Sequence, residues 1–424
     1  MVRRAALFLM LCVPIAAAEA AAQTVASPPQ GQAAPATGRL RVYLECDCFS
    51  TYLREEVDWV DFVRQPQDAD VHVLSSSSGT GGGGRELVLR FIGLGRFDGI
   101  THELRVVSLT GDTEIVRRAA VLRTMTIGML HFMARTGLPA GLDVNVRTEE
   151  TREQEAPVRD PWNLWVFRLS ANGSIEAEES NREKSWRVNF SGDRVTEQWK
   201  ISFGVSVDQE EETFDLDEDD PFEIRQRERE FDFFLARSLG PHWSFGVDGE
   251  VSSSTFGNTR FSAGMAPALE YSVFPYRDYA TREFIIQYEI GVEHVKYREI
   301  TLFDKLEETL WRHELSARLD QRQSWGSLQA GVEWSQYLHD LSKNRIEVDG
   351  EISVRVTRGL SFDVEGSASR IRDQLSLPRR NATPTEVLLR LRELRSGYEL
   401  RFSVGISYSF GSIFNNVVNP RFGR

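Results

Sequence analysis

The chain has 424 residues, 41% of them hydrophobic and 27% charged, with a formal net charge of −13 and a sequence pI near 5.2. Such an acidic surface repels phosphate backbones, which excludes nucleic acid as a partner. A mean hydropathy of −0.34, with no apolar run near the roughly 18 residues of a spanning helix beyond the N-terminus, excludes a helical membrane bundle.

Residues 1–22 have the pattern of an export signal. Arg3 and Arg4 give a positive start, Ala5 to Ala18 an apolar stretch, and Ala20, Ala21 and Ala22 a small-residue cleavage site. Cys12 follows Met10 and Leu11, where a lipoprotein signal wants small residues, so no lipid anchor is expected. Residues 23–38, rich in Ala, Pro, Gln and Ser, read as a disordered lead-in.

From Arg39 the texture changes. "RLRVYLEC", "DADVHVLSS", "ELVLRFIGL" and "THELRVVSL" read as strands, "FSTYLREEV" as a short helix, and "SSSGTGGGGR" as a loose hairpin tip. A longer helix comes next, with Thr110 or Asp112 able to cap it and Ile115, Ala119, Leu122, Thr126, Met129 and Met133 recurring at helical spacing. Gly137 and Pro139 stop it. Residues 39–142 are thus expected to form a small α+β domain, joined to the C-terminal part of the chain by the polar linker 143–160.

Within that domain Cys46 and Cys48 form a Cys-x-Cys. In an exported protein a structural disulfide is the expected reading, although cysteines so close in extended chain sit near the limit for bridging. The glycine-rich "GTGGGG" and "GLGRFDG" lack the strand-to-helix setting of a phosphate cradle and are turn chemistry.

Residues 161–411 give about twelve alternating stretches, from "NLWVFRLSANGSIEAE" to "YELRFSVGISYSF", most near the 9–11 residues that cross a bilayer when tilted. Short connections ("SLGPH", "RQSWGS", "TRGL") alternate with longer polar ones (209–226, 373–397). The parity is sharp: Trp199, Ile201, Phe203, Val205 and Val207 oppose Lys200, Ser202, Gly204, Ser206 and Asp208. In hydrocarbon every backbone group must be paired, so strands span only as a closed barrel, and the polar parity then faces a wet lumen. Trp162, Trp165, Trp186, Trp199, Trp243, Trp311 and Trp325, near strand ends, fit interfacial girdles. The expected fold is a mainly β, about 12-stranded antiparallel transmembrane β-barrel preceded by a small α+β domain.

The final strand resembles the C-terminal assembly signal of Gram-negative outer-membrane barrels, with Phe410 as the last aromatic and Tyr408, Ile406 and Phe402 at alternate positions before it. The resemblance implies barrel assembly machinery and outer-membrane lipid as partners. It departs in one respect, since residues 412–424 extend past it as a tail; alternatively Phe414 or Phe422 is the true terminus. Residues 203–371, through phrases such as "EFDFFLARSLGPHWSFGVDGEVSSSTF", also resemble the uncharacterised salt-induced outer-membrane protein family. That implies an envelope protein without an assigned reaction. Residues 39–142 are separately expected to lie in the periplasm and to contact another envelope component there, a periplasmic partner.

On the polar parity Glu230, Asp232, Asp248, Glu250, Glu289, Glu314, Glu333, Glu347, Asp349, Glu351 and Glu365, with Glu293 and Asp363, outnumber the cations Arg168, Lys200, Arg312, Arg318, Arg355 and Arg401. One reading is a salt-bridged network that makes the barrel rigid. The sharper one is a narrow cation-preferring path, because rings of carboxylates favour cations. Asp215, Asp217, Asp219 and Asp220 lie in an acid-rich connection that could gather divalent cations, although it lacks the glycine and distal glutamate of an EF-hand. No resident metal or cofactor is expected.

Catalysis finds little support. His294 and His313 stand near the loop 295–309, but by parity both face lipid while Glu293 and Glu314 face the lumen. A non-enzymatic envelope protein, a narrow pore or an envelope-stress component, is therefore expected. The alternative is an outer-membrane hydrolase acting on lipid or peptide at the extracellular rim.

Overall fold

The computed structural model of the chain describes residues 39–136, 160–179, 181–214, 222–380 and 394–411. The expected export signal (1–22), lead-in (23–38), nearly all of the linker (143–160) and the tail (412–424) lie outside these residues.

The first part contains β1 (Arg41–Glu45), α1 (Ser50–Glu56), β2 (Asp61–Val63), β3 (Val71–Gly79), β4 (Arg85–Gly93), β5 (Thr101–Ser108) and α2 (Glu114–Thr136). The sheet order is β2-β1-β3-β4-β5. β1 pairs in parallel with β2 and β3, and the other ladders are antiparallel. β2 was not expected from the sequence, because three residues are too few to show a period. Val42, Val71, Val73, Leu89 and Phe91 are fully buried on one face of this sheet, and Met125, Met129 and Phe132 of α2 close over them. Each such side chain contributes about 1.5–3 kcal/mol of burial. Gly128 lets the helix come close, since the Phe91 ring fills the space a Cβ would need.

Two expectations for α2 are corrected. Its first turn is capped by Thr113, whose hydroxyl accepts from Val116 N–H at 3.5 Å, while Asp112 instead accepts from Leu109 N–H. The buried stripe runs through Val121, Met125, Met129, Phe132 and Met133, whereas Ile115 is 65% exposed. The first turns of the helix do not reach the sheet, so periodicity there has no partner to pack on.

The second part is a 12-stranded antiparallel sheet in strict chain order. Its strands are β6 (Trp165–Ala177), β7 (Asn181–Val195), β8 (Trp199–Phe214), β9 (Phe222–Ser238), β10 (Trp243–Ser254), β11 (Thr259–Ser272), β12 (Arg282–Tyr297), β13 (Glu307–Gln323), β14 (Gly326–Tyr337), β15 (Asn344–Thr357), β16 (Leu360–Ile371) and β17 (Tyr398–Tyr408). They run 11–17 residues, longer than expected. Charged residues carry the ladders past the apolar band, as where Glu210, Glu211 and Glu212, expected in a loop, pair with Gln226, Arg225 and Ile224. Glu211 meets Arg225 at 2.8 Å.

One end of the sheet is closed by the connections 196–198, 239–242, 273–281, 324–325 and 358–359, and the other carries 215–221, 298–306, 338–343 and 372–397. At that second end the chain leaving β16 doubles back as a strap. Arg372 N–H donates to Asn344 O at 3.0 Å, and four residues later Ser376 O accepts from Asn258 Nδ2 at 2.7 Å. Four residues reach about 14 Å. Laid flat, the five intervening strand spacings of about 4.8 Å each would exceed that reach, so the sheet must curl. Leu375 of the strap packs with Val295, Tyr297 and Leu310, which share a face with Glu293 and Arg312. The concave face is therefore the polar one.

Candidate functional site

Cross-strand partners share a face, so the registers assign every expected inner residue. The walk Asp232–Glu250, Glu289–Glu314, Glu333–Glu347 and Glu351–Glu365 sets four acid pairs directly opposite one another on the concave face. Glu230, Asp248, Asp349, Arg312, Arg318, Arg355 and Arg401 fall on the same face, opposite Ser252, Ala266, Gly331, Gly291, Gly331, Ser361 and Ser367 respectively. Like charges set opposite one another repel. The face therefore holds an excess of negative field that ion pairing relieves only in places.

Those places are specific. Arg312 lies 3.4 Å from Glu314 and 3.8 Å from Glu289, Arg168 donates to Asp193 at 2.6 Å, Arg345 bridges Glu347 and Asp373, both at 2.9 Å, and Arg401 pairs with Glu399. Asp232 and Asp349 fold over Gly204 and Gly331, which leave room for them on the neighbouring strand. Among the described residues no cation forms an ion pair with Asp232, Asp248, Glu250, Glu333, Asp349, Glu351 or Glu365. At the short-turn end the wall also holds a hollow of about 410 Å³ lined by Lys200, Phe234, Glu270, Tyr276 and Gln287. Burial pushes the Tyr276 phenol up to about 12, helped by its hydrogen bond to Glu270. That hollow draws on strands far apart in sequence, and no local pattern announces it.

The convex face is apolar and open. Val205, Phe231, Val332 and Val348 are each about 40–50% exposed, and Leu169 and Ile406 are 75% and 65% exposed. Trp165, Phe167, Phe190 and Phe203 stack across β6, β7 and β8 on this side. On β17 the assembly-signal residues Phe402, Ile406 and Tyr408 share the convex parity, and the Tyr408 ring lies 5.5 Å from that of Phe410. Neither His294 nor His313 meets a carboxylate among the described residues. His294 Nδ1 lies 3.0 Å from Thr309 Oγ1, and His313 Nε2 lies 3.2 Å from Gln336 Oε1, both on the convex face. Glu293 points to the other face, where Ser262 donates to it at 2.5 Å.

Of the remaining sequence candidates, Asp215, Asp217, Asp219 and Asp220 lie outside the described residues. Cys46 and Cys48 are joined as a disulfide with a Cα–Cα distance of 5.1 Å.

Residues missed by sequence reasoning stand where the two parts meet. Glu45 on β1 accepts from His72 Nε2 at 2.8 Å and from Arg355 at the end of β15. Asp68, 6% exposed, accepts from Arg358 in the 358–359 turn. Tyr279 in the 273–281 connection donates to Glu86 on β4. Burial would raise the Glu45 carboxyl, but the His72 and Arg355 hydrogen bonds outweigh it and hold the group below the ordinary glutamate range.

No family model matches the chain, and no curated protein matches it. Among solved structures it is similar to the NanC porin in a rhombohedral crystal form, at 12% identity over 58% of this chain and 100% of that one, with a TM-score of 0.27. It is also similar to the β domain of the Bordetella autotransporter Brka, at 12% identity over 58% of this chain and 98% of that one, with a TM-score of 0.24. Likenesses this remote carry no inference about activity or ligand.

Proposed function

We propose that the chain is a non-enzymatic outer-membrane β-barrel protein whose acid-lined interior offers a narrow, cation-preferring path, with its α+β unit in the periplasm. One observation carries this reading: along the twelve strands the registers put most apolar side chains on the convex face and most carboxylates on the concave one. A soluble monomer rarely leaves so large an apolar surface uncovered, and a bilayer covers it. The acid pairs would concentrate cations and repel anions. Among the described residues the histidines of the rim-hydrolase alternative meet no orienting carboxylate of the kind such chemistry needs.

Two measurements test the proposal. The protein should fractionate with the outer membrane and migrate faster on gels when unheated. In planar bilayers under a salt gradient its reversal potential should report cation preference, and anion preference would overturn the path. Recovery of folded protein in solution without detergent would overturn the membrane assignment itself.

A further inference from the structure

We propose that the α+β unit is a stopper seated across the short-turn mouth of the barrel, held at three anchors spread around its rim. Its consequence for flux rests on the interior being a path, but the seat itself does not.

The anchors are distinct in chemistry and position. At β15–β16, Arg355 and Arg358 reach out to Glu45 and Asp68, and the Arg355 guanidinium lies 5.6 Å from the Tyr43 ring centre. At β11–β12, Tyr279 donates to Glu86 while Arg105 Nη1 sits 3.5 Å from the phenol oxygen. At β6–β7, the tip of the β3–β4 hairpin abuts Arg168 and Val195 so closely that neither Gly81 nor Gly83 has room for a Cβ. In a closed ring of twelve strands each takes about 30°, so the anchors leave gaps of about 150°, 120° and 90°. Every gap is under half a turn, and the triangle they make therefore encloses the barrel axis.

Size agrees with that placement. Twelve strands about 4.8 Å apart and tilted near 40° close at a radius of about 12 Å. A unit of about a hundred residues has a radius of gyration near 13 Å and is wider than that mouth. Charge agrees too. Asp68 is a buried acid and Glu45 is locked by the fully buried His72, and burying a carboxylate is costly unless a cation meets it. Both acids find that cation on the barrel. The strap of residues 372–379 covers part of the opposite mouth.

The full chain with Ser327→Cys tests the seat, because Ser327 lies on the inner face beside the short-turn end and Cys46 and Cys48 are already bonded to each other. A bulky polymer maleimide should label it at least tenfold more slowly than in the same chain carrying Arg355→Glu with Arg358→Glu. Adding Glu45→Arg and Asp68→Arg should restore slow labelling, which a merely misfolded variant would not do. Equal labelling in all three chains, or no rescue by the swap, would overturn the stopper. Ion flux in the same three proteins separates the two readings. Fast labelling without flux sinks the path and leaves the stopper standing, whereas equal flux through the slowly and the rapidly labelled chains sinks the stopper.

Discussion

At the scale of single residues, Glu45 carries a consequence for pH. Its folded carboxyl is held below the ordinary glutamate range by the His72 and Arg355 hydrogen bonds acting against burial, and it faces His72 on β3, Tyr43 on its own strand and Arg355 from the barrel. A depressed carboxyl adds stability above its unfolded pKa and loses it as pH falls through the folded one. Attachment of the α+β unit should therefore weaken below the ordinary glutamate range and hold at neutrality. Glu45→Gln should mimic acid at pH 7, costing about 1.5–3 kcal/mol as a charge-assisted bond is lost. Thermal unfolding of that unit, followed against pH in both proteins, reads the effect, and an unchanged acid limb in Glu45→Gln would contradict it. No sequence pattern singles out Glu45, because its partner Arg355 lies 310 residues away.

Strands show what a sequence makes legible. Period-two alternation needs only neighbours, so Trp199, Ile201, Phe203, Val205 and Val207 declare the face of β8 from the sequence alone. Strand ends are harder to read. They depend on which charges meet across a ladder, as Glu211 and Arg225 do, and single-strand periodicity is blind to that. The capping of α2 by Thr113 escaped for a similar reason: three residues with side-chain oxygens compete there, and tertiary packing selects among them. The two faces of β8 also predict opposite responses to one substitution. Val205→Arg, on the convex face, should cost about 2–4 kcal/mol if it lies near the bilayer midplane. Ser206→Arg, one residue on and opposite Glu230, should cost far less. Urea unfolding in lipid vesicles compares them, and equal losses would mean that the convex face does not meet lipid.

Over the whole molecule the ladders fix how the ring must meet itself. Among the described residues β6 and β17 are the end strands, with no ladder joining them. A rung leaving β6 at Leu169, followed through the registers as far as β13 and extrapolated at the offsets of the later ladders beyond their ends, falls fourteen residues short of Ile406 on the line of β17. Joining Leu169 to Ile406 thus sets a stagger of fourteen and a strand tilt of about 39°, inside the usual 35–45°, and pairs the whole of β17. Val404 in place of Ile406 gives about 35°, at the lower edge of that range. Leu169→Cys with Ile406→Cys should therefore oxidise to a disulfide in membranes, and Leu169→Cys with Val404→Cys should not. The reverse result would move the register by two residues.

The anchors on β6–β7 and β15–β16 stand on either side of that join. Parting the wall sideways there would have to tear Arg355 from Glu45, Arg358 from Asp68 and Val195 from the hairpin tip together. Residues that precede the wall in the chain thus form a clasp over the line where it is most easily unzipped.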